Sequence, residues 1–193
     1  MESVSSSVEL SGWEVGLSEI SMNDNPTHFG PDGEARMVDV AAKAVTVRTA
    51  IASGHVEMDG STAEVIRRGS ADKGDVLGIA RIAAIQAAKL TQQLIPLCHS
   101  IPIEAVSVRF DWLTPNQVRC FVEVRTTAKT GVEMEAMTAA SAACLTIYDM
   151  VKSIDRGLPI GPIQVVMKSG GCSGMFRRDG FGGLPESDNS PCR

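Results

Sequence analysis

Gly131-Val132-Glu133-Met134-Glu135-Ala136-Met137-Thr138 opens a span that runs on to Tyr148-Asp149-Met150-Val151-Lys152, and the reading of that span decides the fold. Between its ends lie Ala136, Ala139, Ala140, Ala142, Ala143, Leu145 and Ile147, small or aliphatic throughout. That is the composition of a buried helix, with Gly131 as its upstream stop. Yet the span begins with two acids and ends with an Asp and a Lys. Asp149 and Lys152 are three apart and share one helix face. Charges at both ends of a buried helix are either paired for stability or arranged for chemistry.

Outward from this helix, the chain punctuates itself. Val118, Cys120, Val122 and Val124 alternate with polar residues, as do Val106, Val108, Phe110 and Trp112, with Pro115-Asn116 between them. This is a β-hairpin over Ile103 to Val124. Before it, Asp75 caps a long Ala-rich helix through Ile79, Ile82 and Leu90 that Pro96 ends. Its alanines invite close approach of a second backbone. Ser61-Thr62-Ala63-Glu64 reads as a capping box for a short helix. Ala44 to Ala52 alternates as a strand, and Met37 to Val40 is a short extended piece. Downstream, Ile163 to Met167 is the last strand and Ser169 to Gly174 a Gly-rich loop. The order is β-α-β-β-α-β, a ferredoxin-like α+β fold: an antiparallel sheet with helices on one face. Residues 1–34 are expected as a mobile tail, 35–174 as one domain and 175–193 as a second mobile tail. The helix-free sheet face needs a cover, and a partner subunit is the simplest one.

Composition bounds the function. The 193 residues carry 44% apolar and 21% charged side chains, enough for one sizeable core, with aromatics at only 4%. A net charge of -5 argues against a general nucleic-acid binder. Five cysteines, an odd count without a CxxC, argue against a disulfide scaffold or structural zinc and for reduced thiols in the cytoplasm. No secretory signal and no membrane-length apolar run is visible.

The chemistry-bearing residues admit two readings each. Asp149 and Lys152 are a helix-end salt bridge, or an acid–base pair tuned by partial burial. Glu133 and Glu135 complement the helix dipole, and being two apart they should not both face one pocket. His99 is a loop histidine or a site residue. Cys98, its neighbour, points to the opposite face, which argues against a Cys–His dyad. Lys73 is a solvated lysine, or strengthens an anion site at a helix start. The loop from Lys168 to Gly174 is a flexible exit, or a phosphate-wrapping nest. Two rival functions stay open at this level: a non-catalytic ligand-binding module, and a metal-dependent hydrolase on His99, Glu133 and Glu135.

Taken together, several stretches resemble the molybdenum-cofactor biosynthesis protein C family, the cyclic pyranopterin monophosphate synthases. They include Met37-Val38-Asp39-Val40, Lys73-Gly74-Asp75-Val76, Leu94-Ile95-Pro96-Leu97-Cys98-His99, Gly131-Val132-Glu133-Met134-Glu135-Ala136, Leu145-Thr146-Ile147-Tyr148-Asp149-Met150 and Lys168-Ser169-Gly170-Gly171. The resemblance spans roughly residues 28 to 175. It implies a ferredoxin-like fold and a homohexamer, a trimer of dimers with active sites at dimer interfaces. It implies conversion of (8S)-3',8-cyclo-7,8-dihydroguanosine 5'-triphosphate to cyclic pyranopterin monophosphate with loss of pyrophosphate and with no redox cofactor; no cofactor and no metal-ligating residue is assigned, and whether magnesium accompanies the triphosphate stays open. The family's catalytic residues fall on Asp149, Lys73 and Lys152. Its substrate contacts fall on Leu97, Cys98, His99, Met134 and Glu135, with Glu133 adjacent. Arg48 and Lys168 match basic positions suited to the triphosphate. Ser100 stands where relatives often have Pro, and Arg36 where some have His.

Overall fold

The computed structural model describes residues 32–172 and 174–181. The expected N-terminal tail over 1–31, the Ser173 part of the Gly-rich loop and residues 182–193 lie outside the described residues. Five strands and three helices follow in the order β1 (Thr46–Glu57), α1 (Gly60–Arg68), α2 (Val76–Leu94), β2 (Ala105–Thr114), β3 (Gln117–Ala128), α3 (Glu133–Val151), β4 (Gln164–Ser169) and β5 (Phe176–Arg177). The sheet order is β2-β3-β1-β4-β5 with every pair antiparallel, so the first four strands have the ferredoxin-like arrangement.

The alternation that gives the strands also builds the core. On one face Ala50 and Ala52 of β1 and Val122 and Val124 of β3 are buried beneath Ala136, Ala139 and Ala140 of α3. α3 lies so close to β1 that a Cβ on Gly54 would overlap Ile163 Cδ1 and come within 2.9 Å of Cys144 Sγ. α2 packs antiparallel to α3, burying Val76, Ala80, Ala84, Ala88 and Thr91, a stripe at helical spacing. Alanine on both helices is what permits this approach. Each fully buried Val or Ile, such as Val122 and Ile147, contributes roughly 1.5–3 kcal/mol, so the apolar interior dominates stability and the surface ion pairs do not.

Four expectations need correction. The capping box does not form: α1 starts at Gly60, its N-cap is Asp59, and the Asp59 side chain makes no capping bond. Instead Asp155, distant in sequence, accepts the Asp59 N–H at 2.9 Å and the Thr62 hydroxyl at 3.5 Å. A carboxylate at a helix N-terminus satisfies its orphan donors and its dipole together, and here a distant one replaces the local one. The strand expected to stop at Ala52 runs through Ser53 and Gly54 to Glu57. Glycine there is not a stop but the point where α3 crosses.

The chain also folds beyond residue 174, contrary to a tail beginning at 175. β5 pairs Phe176 with Lys168 and Arg177 with Met167. Finally, the helix-free sheet face is partly covered by this chain itself. Phe181 meets Phe121 edge-on at 6.1 Å, and the Arg119 guanidinium lies over both rings at 4.4 and 5.4 Å.

Candidate functional site

The chemistry-bearing residues fall into two clusters at opposite ends of α3. Asp149 and Glu135 are about 21 Å apart along the helix at about 1.5 Å per residue.

At the C-terminal end Asp149 sits between two lysines. Lys152, one turn on, places its Nζ 2.7 Å from Asp149 Oδ1. Lys73 comes from the turn before α2: Gly74, at φ +93°, takes a left-handed conformation that costs a glycine little, and the turn closes through a Gly74 N–H to Ala71 O bond of 2.9 Å. Asp75 then caps α2 by accepting the Gly78 N–H at 2.9 Å. This geometry carries Lys73 Nζ to 2.9 Å from Asp149 Oδ2 and 2.7 Å from the Asp149 carbonyl oxygen. A cation thereby satisfies one of the orphan carbonyls at the helix end.

The partial burial expected for Asp149 and Lys152 is not found within the chain. The three side chains are about half exposed: 55% for Asp149, 51% for Lys152 and 45% for Lys73. Pairing, not burial, shifts Asp149 and Lys152. Hydrogen bonds first from Lys152 and then from Lys73 bring the Asp149 carboxyl down to about 2. The same carboxylate holds the Lys152 ammonium above the usual lysine range. Exposed pairs add little to stability. A half-exposed carboxylate bonded to two amines is a poor structural device, but it holds both amines at one point beside the helix end.

At the N-terminal end lies a cavity of about 550 Å³. Leu97, Cys98 and His99 reach it because Pro96 does more than end α2. Ile95 to Cys98 forms a tight turn, closed by the Cys98 N–H to Ile95 O bond of 3.1 Å, with Pro96 at its second position. Glu133, Met134 and Glu135 all line the same cavity. The expectation that the two glutamates could not share a pocket fails because the cavity wraps around the end of the helix. The segment after the N-terminal tail completes it, with Val38, Val40 and Lys43 laid across as a strap. His99 donates its Nε2–H to Val38 O at 2.8 Å, and Lys129 Nζ donates to Ala41 O at 2.7 Å.

Sequence reasoning marked Met37 to Val40 as extended but missed its place in the site, along with Lys43, Ile95, Ile101 and Thr130. The available signal was Val38 and Val40, apolar in alternation with no strand to pair with.

Glu133 and Glu135 differ in their surroundings. Glu133 is paired with Lys168 of β4 at 3.0 Å. Glu135 is only 3% exposed, and its Oε2 has no partner among the described residues. Burial pushes its carboxyl above the ordinary range. Cys98 Sγ lies 3.8 Å from Glu135 Oε1, and burial together with that acid pushes the thiol up to about 11.

Arg48 is near Lys168 but already engaged: Nη1 donates to Gly170 O at 3.2 Å and Nη2 to Lys129 O at 3.3 Å. Gly170 and Gly171, at φ +98° and +72°, fold the exit of β4 onto it. A Cβ on Gly171 would overlap the guanidinium. Arg48 thus clamps the loop.

The hydrolase reading fares badly here. His99 turns Nε2 to the strap and Glu133 is held by Lys168, so the three proposed ligands do not converge. Among the described residues no three His, Cys, Asp or Glu side chains are grouped to hold a metal.

The MoaC family model matches residues 37–171. The cyclic pyranopterin monophosphate synthase of Rhodopirellula baltica is 55% identical over 163 residues, covering 79% of this chain and 93% of that protein. The protein of the same name from Novosphingobium aromaticivorans is 53% identical over 156 residues, covering 81% and 98%. That from Desulfitobacterium hafniense is 50% identical over 153 residues, covering 79% and 94%.

Proposed function

The chain belongs to the MoaC family, and we propose that it is an enzyme, a phosphorus–oxygen lyase, acting on a small nucleotide. It converts (8S)-3',8-cyclo-7,8-dihydroguanosine 5'-triphosphate to cyclic pyranopterin monophosphate and pyrophosphate, an early step of molybdenum cofactor biosynthesis. The observation that carries this reading is the family match over residues 37–171, which encloses every residue of both clusters.

The chemistry suits the residues. Opening and rearranging the purine demands protons delivered and removed at several nitrogens, work for Lys73, Lys152 and Asp149. The cavity formed by Leu97, Cys98, His99, Glu133, Met134 and Glu135 takes the base. Lys168, with Arg48 fixing the loop beside it, faces the triphosphate, where expelling pyrophosphate needs positive charge.

One chain keeps the amines and the cavity a helix length apart, so the working site needs two copies. A two-fold dimer pairs the Asp149 end of one α3 with the Glu135 end of its partner's and makes two sites at once. Support comes from apolar side chains that the two long helices leave exposed, Ile82 of α2 at 65% and Leu145 of α3, one turn before Asp149, at 60%. A homohexamer, a trimer of such dimers, working in the cytoplasm on no nucleic acid, completes the proposal. Among the described residues no helix is long and apolar enough to cross a membrane.

The direct test supplies the cyclised nucleotide to the purified protein. Pyrophosphate and a pterin in equal amounts are expected. Unchanged nucleotide, or pyrophosphate without a pterin, would overturn the assignment.

A further inference from the structure

Resting on the reaction assigned above, we propose that Cys98 is a positioning residue: its thiol proton is donated to Glu135 Oε1 and holds that carboxylate on the cavity wall, while the sulfur makes and breaks no bond. Beside the backbone N–H of Glu135 itself, the thiol is the side-chain donor that the geometry brings to this carboxylate. Glu135 is almost wholly buried, and a buried carboxylate needs hydrogen-bond donors. Two of the groups nearby are committed elsewhere, and Lys43 of the strap makes no bond to Glu135. Lys168 pairs with Glu133, and His99 gives its Nε2–H to the Val38 carbonyl. Cys98 Sγ, aimed by the Pro96 turn, is 3.8 Å from Oε1.

A thiol suits this wall, which Ile95, Leu97 and Ile101 make apolar, because it packs as a hydrophobe while keeping one weak donor. Its protonation agrees with that role. A thiolate beside Glu135 would set two anions in an apolar wall, and the thiol is held protonated up to about 11. Only the thiol form can donate. Oε2, buried and without a partner among the described residues, is then the oxygen left to accept an N–H of the bound base.

Two experiments test this, one without substrate. In the first, alkylation by iodoacetamide at pH 8 is followed by peptide mapping. Cys98 should react about 100-fold more slowly than the exposed Cys172, since the thiolate is the nucleophile. Glu135→Gln, which removes the neighbouring anion, should speed Cys98 about tenfold and leave Cys172 unchanged. Equal rates at the two cysteines in the parent, or no response to Glu135→Gln, would overturn the pairing whatever the chain catalyses.

The second experiment is turnover against pH. Losing the donor raises the Glu135 carboxyl further. Cys98→Ala should therefore move the acid limb of kcat/KM to higher pH by about half a unit to one unit and raise KM about threefold to tenfold, with kcat less affected. Cys98→Ser, which keeps a donor, should restore both. Glu133 on α3, His99 after α2 and Lys43 on the strap also line the cavity, and Lys168 on β4 pairs with Glu133. Neither substitution alters them, so a moved limb belongs to Glu135. A Cys98→Ala profile that superimposes on the parent's, or a Cys98→Ser variant as impaired as Cys98→Ala, would show that the sulfur serves packing alone.

Discussion

Asp149→Asn is expected to lower turnover by about a hundredfold to ten-thousandfold, the range for general acid–base groups, while leaving fold and assembly intact. The side chain is half exposed and fills no core space, so its replacement by an amide of the same shape opens no cavity. Unfolding temperature should move by no more than about 2 °C, as for surface substitutions generally.

The large loss follows from the geometry. One carboxylate organises both amines, with Lys152 at 2.7 Å and Lys73 at 2.9 Å. An amide offers one oxygen without charge and leaves both ammonium groups without their anion. Groups acting as a unit lose nearly everything when one is removed.

The pH behaviour has a definite sign. The folded carboxyl is depressed to about 2. Whatever the cluster adds to stability is present above the unfolded carboxylate value of about 3.9 and fades as pH falls toward 2. Any acid limb of activity nearer neutrality therefore does not come from Asp149. Unfolding of the variant with activity retained per folded site would restore the salt-bridge reading.

Gly54→Val should cost about 1–3 kcal/mol, the scale of overpacking a tight core. The position is buried at the crossing of α3 over β1. A Cβ there overlaps Ile163 Cδ1, sits 2.9 Å from Cys144 Sγ and lies 3.8 Å from the Ala140 carbonyl oxygen. Two added methyl groups must push α3 off the sheet. Backbone strain plays no part, because Gly54 is not in the left-handed region. Urea unfolding should show a lower midpoint, and turnover should fall with it, since α3 carries residues of both clusters. An unchanged midpoint would mean that the helix does not ride as close to β1 as the structure has it.

The hairpin was legible because Val106, Val108 and Phe110 alternate with polar residues and Pro115-Asn116 must turn. Both long helices were legible because alanine runs with few breakers admit little else. Asp75 capped α2 as its position said it would. The misses share a cause: the deciding partner is remote in sequence. Asp155 displaced Ser61 and Glu64 at the start of α1, and β5 is two residues whose only claim to being a strand is the edge of β4 beside them.

The site divides in the same way. That Asp149 and Glu135 belong to opposite ends of one helix was readable from spacing. That Glu133 and Glu135 share a cavity was not, because the cavity is closed by the strap and by the turn at Pro96, neither of which has periodicity. The exposure of Asp149 could not be read either, since an Ala-rich helix shows where it is buried more plainly than where its last turn emerges.

The claim on which most depends is that the amines of one copy act on a base held by another. Mixing chains tests it. Asp149→Asn and Glu135→Ala chains, each inactive alone, are combined as subunits of one assembly. In a two-fold dimer every mixed pair contains one site with both residues intact, so random mixing should return about a quarter of the parent activity. No recovery, with mixed assemblies shown to form, would contradict a site built between copies.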